Sequence, residues 1–481
     1  MTTTYLEQEA DASDLGRRAA SLKSALAAVV CLFIAVQASA QEISTRALEQ
    51  IAALVQAKQA RTPFQQKIDS RLLYELEERR GGELLQDLPQ LQVTRHADAA
   101  GRVLLDLDAT VDDVLLGRIE ALGGTVQSAF PRWQAVRAIL PIDRIEELAA
   151  LQQVRTLRPA DVYMTQVTTE GDVAHAADVA RATFSVDGTG VKAGAMSDSV
   201  DALPTLQGSG ELPANVTVLP GQSGNPGTSE GTALLEIMHD MAPGAELFFA
   251  TGGGGQAQMA QNILDLAAAG CRVIVDDVLY FSEPVFQDGI IAQAVDAVAA
   301  AGVAFYSAAG NSGNLPAGTA GVWEGDYLAT ALPGPLAGTG LSAHDFGGGQ
   351  NSNEITFDSP FFFTLQWSDP SDAATNDYDL YLLDAALANV IAASNNTQNG
   401  TQDPFELIDS TATDDLGNRL VVVQFAGDDR FLHLNTHRGQ LAEATDGQIF
   451  GHPAAEGAIA VAAVNVGTAG GGVFIGGAAN P

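Results

Sequence analysis

From Gly190 to about Ala309 the chain alternates short, nearly continuous apolar runs with stretches whose apolar residues recur every three or four positions. VKAGAM, NVTVL, AELFFAT, CRVIVDD and VAFYSAAG have the first pattern, which predicts strands buried on both faces. Gly231 to Met241, Gln256 to Ala269 and Gly289 to Ala301 have the second, which predicts amphipathic helices. Apolar strands separated by such helices predict an α/β fold, a parallel sheet with helices on both faces. Ligands of these sheets sit beyond the carboxyl ends of the strands. The polar residues expected there are Ser197 and Asp198 after the first strand, Asp276 and Asp277 after a later one, and Asn311 after the fifth.

Two further segments follow other periods. Over residues 102–161 the runs RVLLDLDA, VDDVLLGRIEALG, GTVQSAF, AVRAIL, IDRIEELAALQ and VRTLRP read as strand, helix, strand, strand, helix, strand. That order predicts a ferredoxin-like split βαβ core, preceded by a charged helical stretch from Thr45 to about Leu88. Over residues 341–445 seven alternating runs, among them FFFTLQWSD, DYDLYLLDA and RLVVVQFAG, predict a β-sandwich inserted into the α/β unit. The α/β pattern resumes in GHPAAEGAIAVAAVN, Gly451 to Asn465.

Composition narrows the partners. A chain of 481 residues with 46% hydrophobic and 17% charged positions has material for several packed domains. Its net charge of -35 is concentrated from Glu170 onward, where acidic residues outnumber basic ones about six to one. Such a surface repels phosphate backbones, which excludes nucleic acid as a partner, and suits an acidic, saline or extracellular medium. Near the N-terminus, Arg17, Arg18 and Lys23 precede the apolar run Ala25 to Val36 and then Ala38-Ser39-Ala40, a secretory signal peptide over residues 1–40. The apolar run is short for a membrane span, so the expected location is secreted or at the cell exterior, the periplasm included, with no membrane contact beyond the signal. Cleavage would remove Cys31 and leave Cys271 as the one thiol, a buried small residue. His433 and His437 fall on a predicted strand, where their spacing has no zinc-helix meaning, and read as surface histidines.

Two motifs carry chemistry. GTSEGTALLEIMHDMAPGAEL, Gly227 to Leu247, reads as a loop, a helix and a turn into a buried strand, and SAAGNSGN follows from Ser307 to Asn314. The first resembles the segment of subtilisin-like serine peptidases in which His-Gly-Thr opens a helix and Ala-Pro-Gly-Ala closes it, with Glu230 standing where the histidine would be. In this respect Glu230 is similar to the base of the sedolisins, where an aspartate one helical turn later backs the glutamate; here that position is Leu234. His239 lies about half a turn around the helix from Glu230 and does not replace it.

The resemblance implies a signal peptide over 1–40, a propeptide region over 41–165, a catalytic domain over 166–340 and 446–481, and the sandwich insert over 341–445. It implies peptide-bond hydrolysis through an acyl-enzyme, with Glu230 as general base, Asp198 as its orienting partner and Asn311 as oxyanion donor. Asp276 and Asp277 would border the substrate side-chain pocket. A carboxylate base titrates about two pH units below imidazole, so the expected activity favours acid. The nucleophile of this family lies on a Gly-Thr-Ser segment, and the only GTS, Gly227 to Ser229, belongs to the Glu230 loop. The expectation is a nucleophile beyond Pro481 and a chain inactive as written, a monomer acting on peptide or protein substrates. No cofactor is required, and clustered carboxylates leave structural calcium open. The alternative is a non-catalytic protein of the same fold that binds or adheres through its sandwich.

Overall fold

The computed structural model describes residues 42–463 apart from 83, 165–171, 173–174 and 411–413. The predicted signal segment and the residues beyond Ala463 lie outside the described residues.

The N-terminal part begins with helices α1 (Thr45–Gln59), α2 (Ser70–Arg80) and the short α3 (Leu84–Asp87). Ser44 caps α1 by accepting the Ala47 N–H at 3.1 Å, and Asp69 caps α2 through the Arg71 N–H at 2.9 Å. Strand β1 (Arg102–Ala109), helix α4 (Asp113–Ala121), strands β2 (Thr125–Phe130) and β3 (Ala135–Pro141), helix α5 (Ile145–Ala149) and strand β4 (Val154–Pro159) follow. They form an antiparallel sheet in the order β2-β3-β1-β4, the expected split βαβ arrangement. Its inward residues Val103, Leu105 and Leu107 alternate with the less buried Leu104, Asp106 and Asp108 and pack against Leu115, Ile119, Ile145 and Leu148 of the helices. A two-residue strand, β5 (Tyr163–Met164), and helix α6 (Ala177–Phe184) lead onward.

Next come β6 (Lys192–Ser197), α7 (Leu203–Ser209), β7 (Thr217–Val218), α8 (Glu230–Met241), β8 (Glu246–Thr251), α9 (Gln256–Ala268), β9 (Val273–Asp276), β10 (Leu279–Tyr280), α10 (Ile290–Ala300) and β11 (Ala304–Ala308). Helix α8 thus begins at Glu230 itself.

The sandwich holds β12 (Val322–Asp326), β13 (Ala329–Ala331), β14 (Ser342–His344), β15 (Asn353–Phe357), β16 (Phe362–Trp367), β17 (Asp377–Leu383), β18 (Val390–Ser394), β19 (Phe405–Asp409), β20 (Arg419–Ala426), β21 (Phe431–Asn435) and β22 (Gln440–Leu441). Strands β12 and β13, which precede Leu341, already belong to it. Sheet β12-β21-β16-β19 faces a seven-stranded sheet centred on β20, with Phe363, Leu365, Trp367, Tyr378, Leu380 and Leu382 between them. The outer face of the second sheet is covered by α1, whose Leu48, Ile51, Leu54 and Val55 pack on Tyr381, Leu383, Val421 and Val423. Full burial of side chains of this size contributes about 1.5–3 kcal/mol each.

Strand β23 (Ala458–Val461) returns to the central sheet, whose order is β23-β11-β9-β6-β8-β7 with every pairing parallel. From β6 the chain goes to the edge strand β7 and back inward to β8 on one side, then crosses β6 to β9, β11 and β23 on the other. The order therefore reverses at β6, which opens a crevice at its carboxyl end. The fold is a mixed α/β arrangement, a parallel sheet flanked by helices together with antiparallel sheets.

Candidate active site

The crevice is built from the ends of β6, β8 and β9 and the start of α8. Ser197, the last residue of β6, and Asp198, the next, point to opposite sides, as strand alternation requires. The Ser197 hydroxyl donates to Asp277 Oδ2 at 3.1 Å. Asp198 turns toward α8, and its Oδ1 accepts the backbone N–H groups of Ser199 and of Gly231, the latter at 3.2 Å. A helix N-terminus leaves its first N–H groups without helical partners and carries positive partial charge, so a carboxylate there is stabilised. Asp198 thereby ties the strand end to the helix that starts with Glu230.

Gly231 explains how closely that helix approaches. A Cβ at this position would lie 2.4 Å from Phe249 Cε2 and 2.7 Å from the Ser199 carbonyl oxygen. Leu234, one turn after Glu230, packs with the apolar cluster of Ala195, Leu235 and Phe249. Glu230 is half-buried at the crevice rim.

Asp276 and Asp277 separate on folding. Asp277 faces the crevice, is 3% exposed, and its Oδ1 is buried without a hydrogen-bond partner among the described residues. Burial pushes its carboxyl well above the ordinary range, Ser197 opposes this, and the charges of Asp276, Glu230 and Asp198 add to the rise.

Asp276 points to the other face, into a cluster absent from the sequence reading. Its Oδ1 accepts from Ser307 Oγ at 3.0 Å and lies 3.1 Å from His452 Nε2. On its far side the His452 ring places Nδ1 2.9 Å from both carboxylate oxygens of Glu283, and its backbone N–H donates to Glu283 Oε2 at 2.7 Å. Burial alone would lower the imidazole pKa, but Glu283 and Asp276 outweigh it and raise it to about 10, so His452 is an imidazolium between two carboxylates. The cluster fixes the turn from β9 through β10 to Glu283. The one signal for it in the chain is the histidine of GHPAA, where the α/β pattern resumes.

Asn311 lies three residues beyond β11, half-buried in the loop at the same edge of the sheet. His433 and His437, read as surface histidines, are instead buried, at 1% and 0% exposure. His433 Nδ1 lies 2.7 Å from Glu324 Oε1, and the His437 ring meets Phe281 edge-on at 4.8 Å. The reversal follows from the packing of this sheet against the α/β unit as well as against its partner sheet. Cys271 is buried, as expected.

One edge of the crevice is already occupied by the chain itself. Strand β5 pairs antiparallel with β10, Tyr163 opposite Tyr280 and Met164 opposite Leu279. The Tyr163 hydroxyl accepts from Asn225 Nδ2 at 3.1 Å. A Cβ on Gly253 would come within 3.0 Å of that hydroxyl, so the glycine run Gly252 to Gly255 makes room for the ring. Burial raises the Tyr163 pKa, and the nearby Asp198 and Asp277 charges add to it. Among the described residues no group of three or more His, Cys, Asp or Glu side chains is arranged to hold a metal ion, and no helix is long and apolar enough to cross a membrane.

No family model and no curated protein sequence matches the chain. Among solved structures it is similar to an epidermin leader peptide processing serine protease from Staphylococcus aureus, at 12% identity and TM-score 0.31 over 44% of this chain and 61% of that one. It is also similar to a lanthipeptide protease, at 19% identity and TM-score 0.22 over 29% of this chain and 45% of the other. A third is a patellamide maturation protease, at 20% identity and TM-score 0.19 over 27% and 51%. The chain spans 61% or less of the length of these three proteins.

Proposed function

We propose that this chain is the precursor form of an exported, subtilisin-like serine-type peptidase that cleaves extended peptides and favours acid. The observation that carries the reading is the β5–β10 pairing. A peptide segment pairs antiparallel with β10, the short strand that follows β9 of the parallel sheet, and the Tyr163 phenol on it feels the charges of Asp198 and Asp277. Main-chain pairing of this kind binds a peptide largely without regard to its sequence, and the adjoining side-chain site supplies the selection. In this reading residues 41–165 are the prosegment, and β5 holds the place of substrate.

Glu230 takes the proton of the attacking hydroxyl, Asp198 holds the helix terminus from which Glu230 projects, and Asn311 donates to the oxyanion. No nucleophile is assigned among the described residues. Asp277, whose carboxyl pKa burial raises, borders the substrate side chain, while Asp276 serves the buried cluster beneath. The acid preference follows from two titrations. A carboxylate base works in its ionised form, which a carboxyl reaches about two pH units below imidazole, and burial raises the Asp277 pKa, so its ionisation adds charge to the crevice as pH rises.

The test is peptide hydrolysis from pH 3 to 9 by the complete enzyme, nucleophile segment included, and by its Glu230→Gln variant. The expected wild-type profile is bell-shaped with its maximum on the acid side, and the variant loses about 100- to 10,000-fold in kcat. A variant that retains its rate would remove Glu230 from the chemistry. Peptides that bind at β10 at every pH without being cut would favour the non-catalytic binding reading, to which Leu234 already inclines.

A further inference from the structure

Strand β17 is buried along its whole length, and its two faces meet different partners. Tyr378, Leu380 and Leu382 face the opposite sheet of the sandwich, while Tyr381 and Leu383 face α1. On the neighbouring β20, Leu420 and Val422 take the first side and Val421 and Val423 the second. An antiparallel sheet with one face in water alternates apolar with polar residues. This one carries large apolar residues on both faces, so its sequence calls for a third layer. Helix α1 is that layer, with Ala47, Leu48, Ile51, Leu54 and Val55 all buried.

Polar contacts fix how the helix seats. The Val390 N–H donates to Gln50 Oε1 at 2.7 Å, and the Ser44 N–H to the Leu387 carbonyl at 2.9 Å. At the other end the buried Asn395 accepts from Arg61 through its carbonyl at 2.7 Å and its Oδ1 at 2.8 Å, and from the Tyr74 hydroxyl at 2.7 Å. Helix α2 then ties this anchor to the βαβ unit, with Tyr74 in the sandwich cluster and Leu72 and Leu76 in the βαβ core. The crevice side is held more loosely. There β5 contributes two paired residues, and a cavity of about 190 Å³ lies between Asp108 and Arg137 of the βαβ sheet and Gln256 and Gln293 of the α/β unit.

We propose that the outer face of the sandwich is a permanent docking surface for the N-terminal segment, so that a cut between this segment and the α/β unit leaves a protein of two chains instead of a released prosegment. The attachment runs through α1 and the sandwich, and it persists when β5 leaves β10. Without α1 the sheet would expose Tyr381, Leu383, Val421 and Val423 together with Asp377 and Asp379, whose partner Lys58 would go with the helix. That such a cut occurs rests on the precursor reading; the association does not, and it is tested with a cut made from outside.

The experiment inserts a recognition sequence for a sequence-specific protease between Ser185 and Val186, in an exposed loop, and cuts the folded 481-residue chain there. On size exclusion the two fragments are expected to elute together even at about 100 nM. The double variant Ile51→Ala, Leu54→Ala is expected to speed loss of the N-terminal fragment at least about tenfold, and Tyr163→Ala, at the β5–β10 pairing, by less than about twofold. Release from the cut wild type on dilution overturns the proposal, and so does release by Tyr163→Ala where the α1 variant holds. Hydrogen exchange of the cut wild type needs no variant: the amides of α1 and β17 should stay as slow as in the uncut chain, and exchange at least about tenfold faster in both would also overturn it. Co-elution in a complete enzyme that shows no peptidase activity at any pH supports the association and removes the precursor reading.

Discussion

Replacing Lys58 by methionine is expected to be among the most damaging single changes to the sandwich, although no candidate site residue is touched. Lys58 ends α1, is 2% exposed, and donates from Nζ to Asp377 Oδ1 at 2.5 Å and Asp379 Oδ1 at 2.6 Å. Glu406 lies beside them, and the Phe425 ring centre is 4.3 Å from Nζ. Burial raises Asp377 to about 7 and Glu406 to about 8, with Lys58 opposing both. Near neutral pH Lys58 is the cation that offsets the charge of these carboxylates. Methionine preserves the packing of the aliphatic stem and strands that charge, and breaking a buried pair in this way costs about 3–5 kcal/mol.

The pH dependence has a definite sign. The folded pKa values of Asp377 and Glu406 lie above their unfolded values, so the stability they contribute is present below about pH 4 and is lost as pH rises through about 7 to 8. The variant has no ammonium to offset the emerging charges, so its deficit grows from pH 5 to pH 8. Urea unfolding followed by the fluorescence of Trp367, which is fully buried in the sandwich core, measures it. The double variant Lys58→Met, Asp379→Asn removes both charges and should recover at least about 2 kcal/mol of the loss. A single-variant cost below about 1 kcal/mol at pH 8, or additive effects in the double variant, would show that the ammonium is not what makes the buried carboxylates tolerable.

Two further outcomes follow from the α/β unit. The His452 pKa is raised from 6.5 to about 10, so its stabilisation is complete below about pH 6.5 and disappears as pH rises toward 10. His452→Gln should begin about 3–5 kcal/mol less stable at pH 7 and show a flatter decline in melting temperature from pH 7 to 10; a wild-type melting curve that is itself flat over that range would contradict the assignment. Gly231→Ala adds a methyl 2.4 Å from Phe249 and 2.7 Å from a backbone oxygen, which outweighs the helical preference for alanine of about 1 kcal/mol. The expected result is a net loss of about 1–3 kcal/mol by denaturant unfolding, and a more stable variant would mean that α8 does not seat against β8 as described.

What could be read from the chain and what could not divide along a physical line. The parallel sheet, the split βαβ unit and the gathering of Asp198, Glu230 and Asp277 at one edge follow from periods of two and 3.6 and from where α/β sheets place their ligands, all properties of neighbouring residues. The buried charge clusters join residues that are far apart in sequence, Lys58 with Asp377 and His452 with Glu283 and Asp276, and no local period marks them. Asp276 and Asp277 look like one feature in the sequence, yet adjacent strand-end residues face opposite ways, and only the identity of what lies on each side separates a partner of His452 from a carboxyl in the crevice. The same distinction changes the meaning of the acidic composition. Net charge was read as solvated surface, but Asp276, Asp277, Glu283, Asp377, Asp379 and Glu406 are all buried. Lys58 and His452 meet four of them, and burial raises the pKa of Asp277, Asp377 and Glu406, so fewer of them stand as surface charge than the composition suggests. An acidic chain of this kind is therefore less repelled by anions, and more responsive to pH in its interior, than its residue count implies.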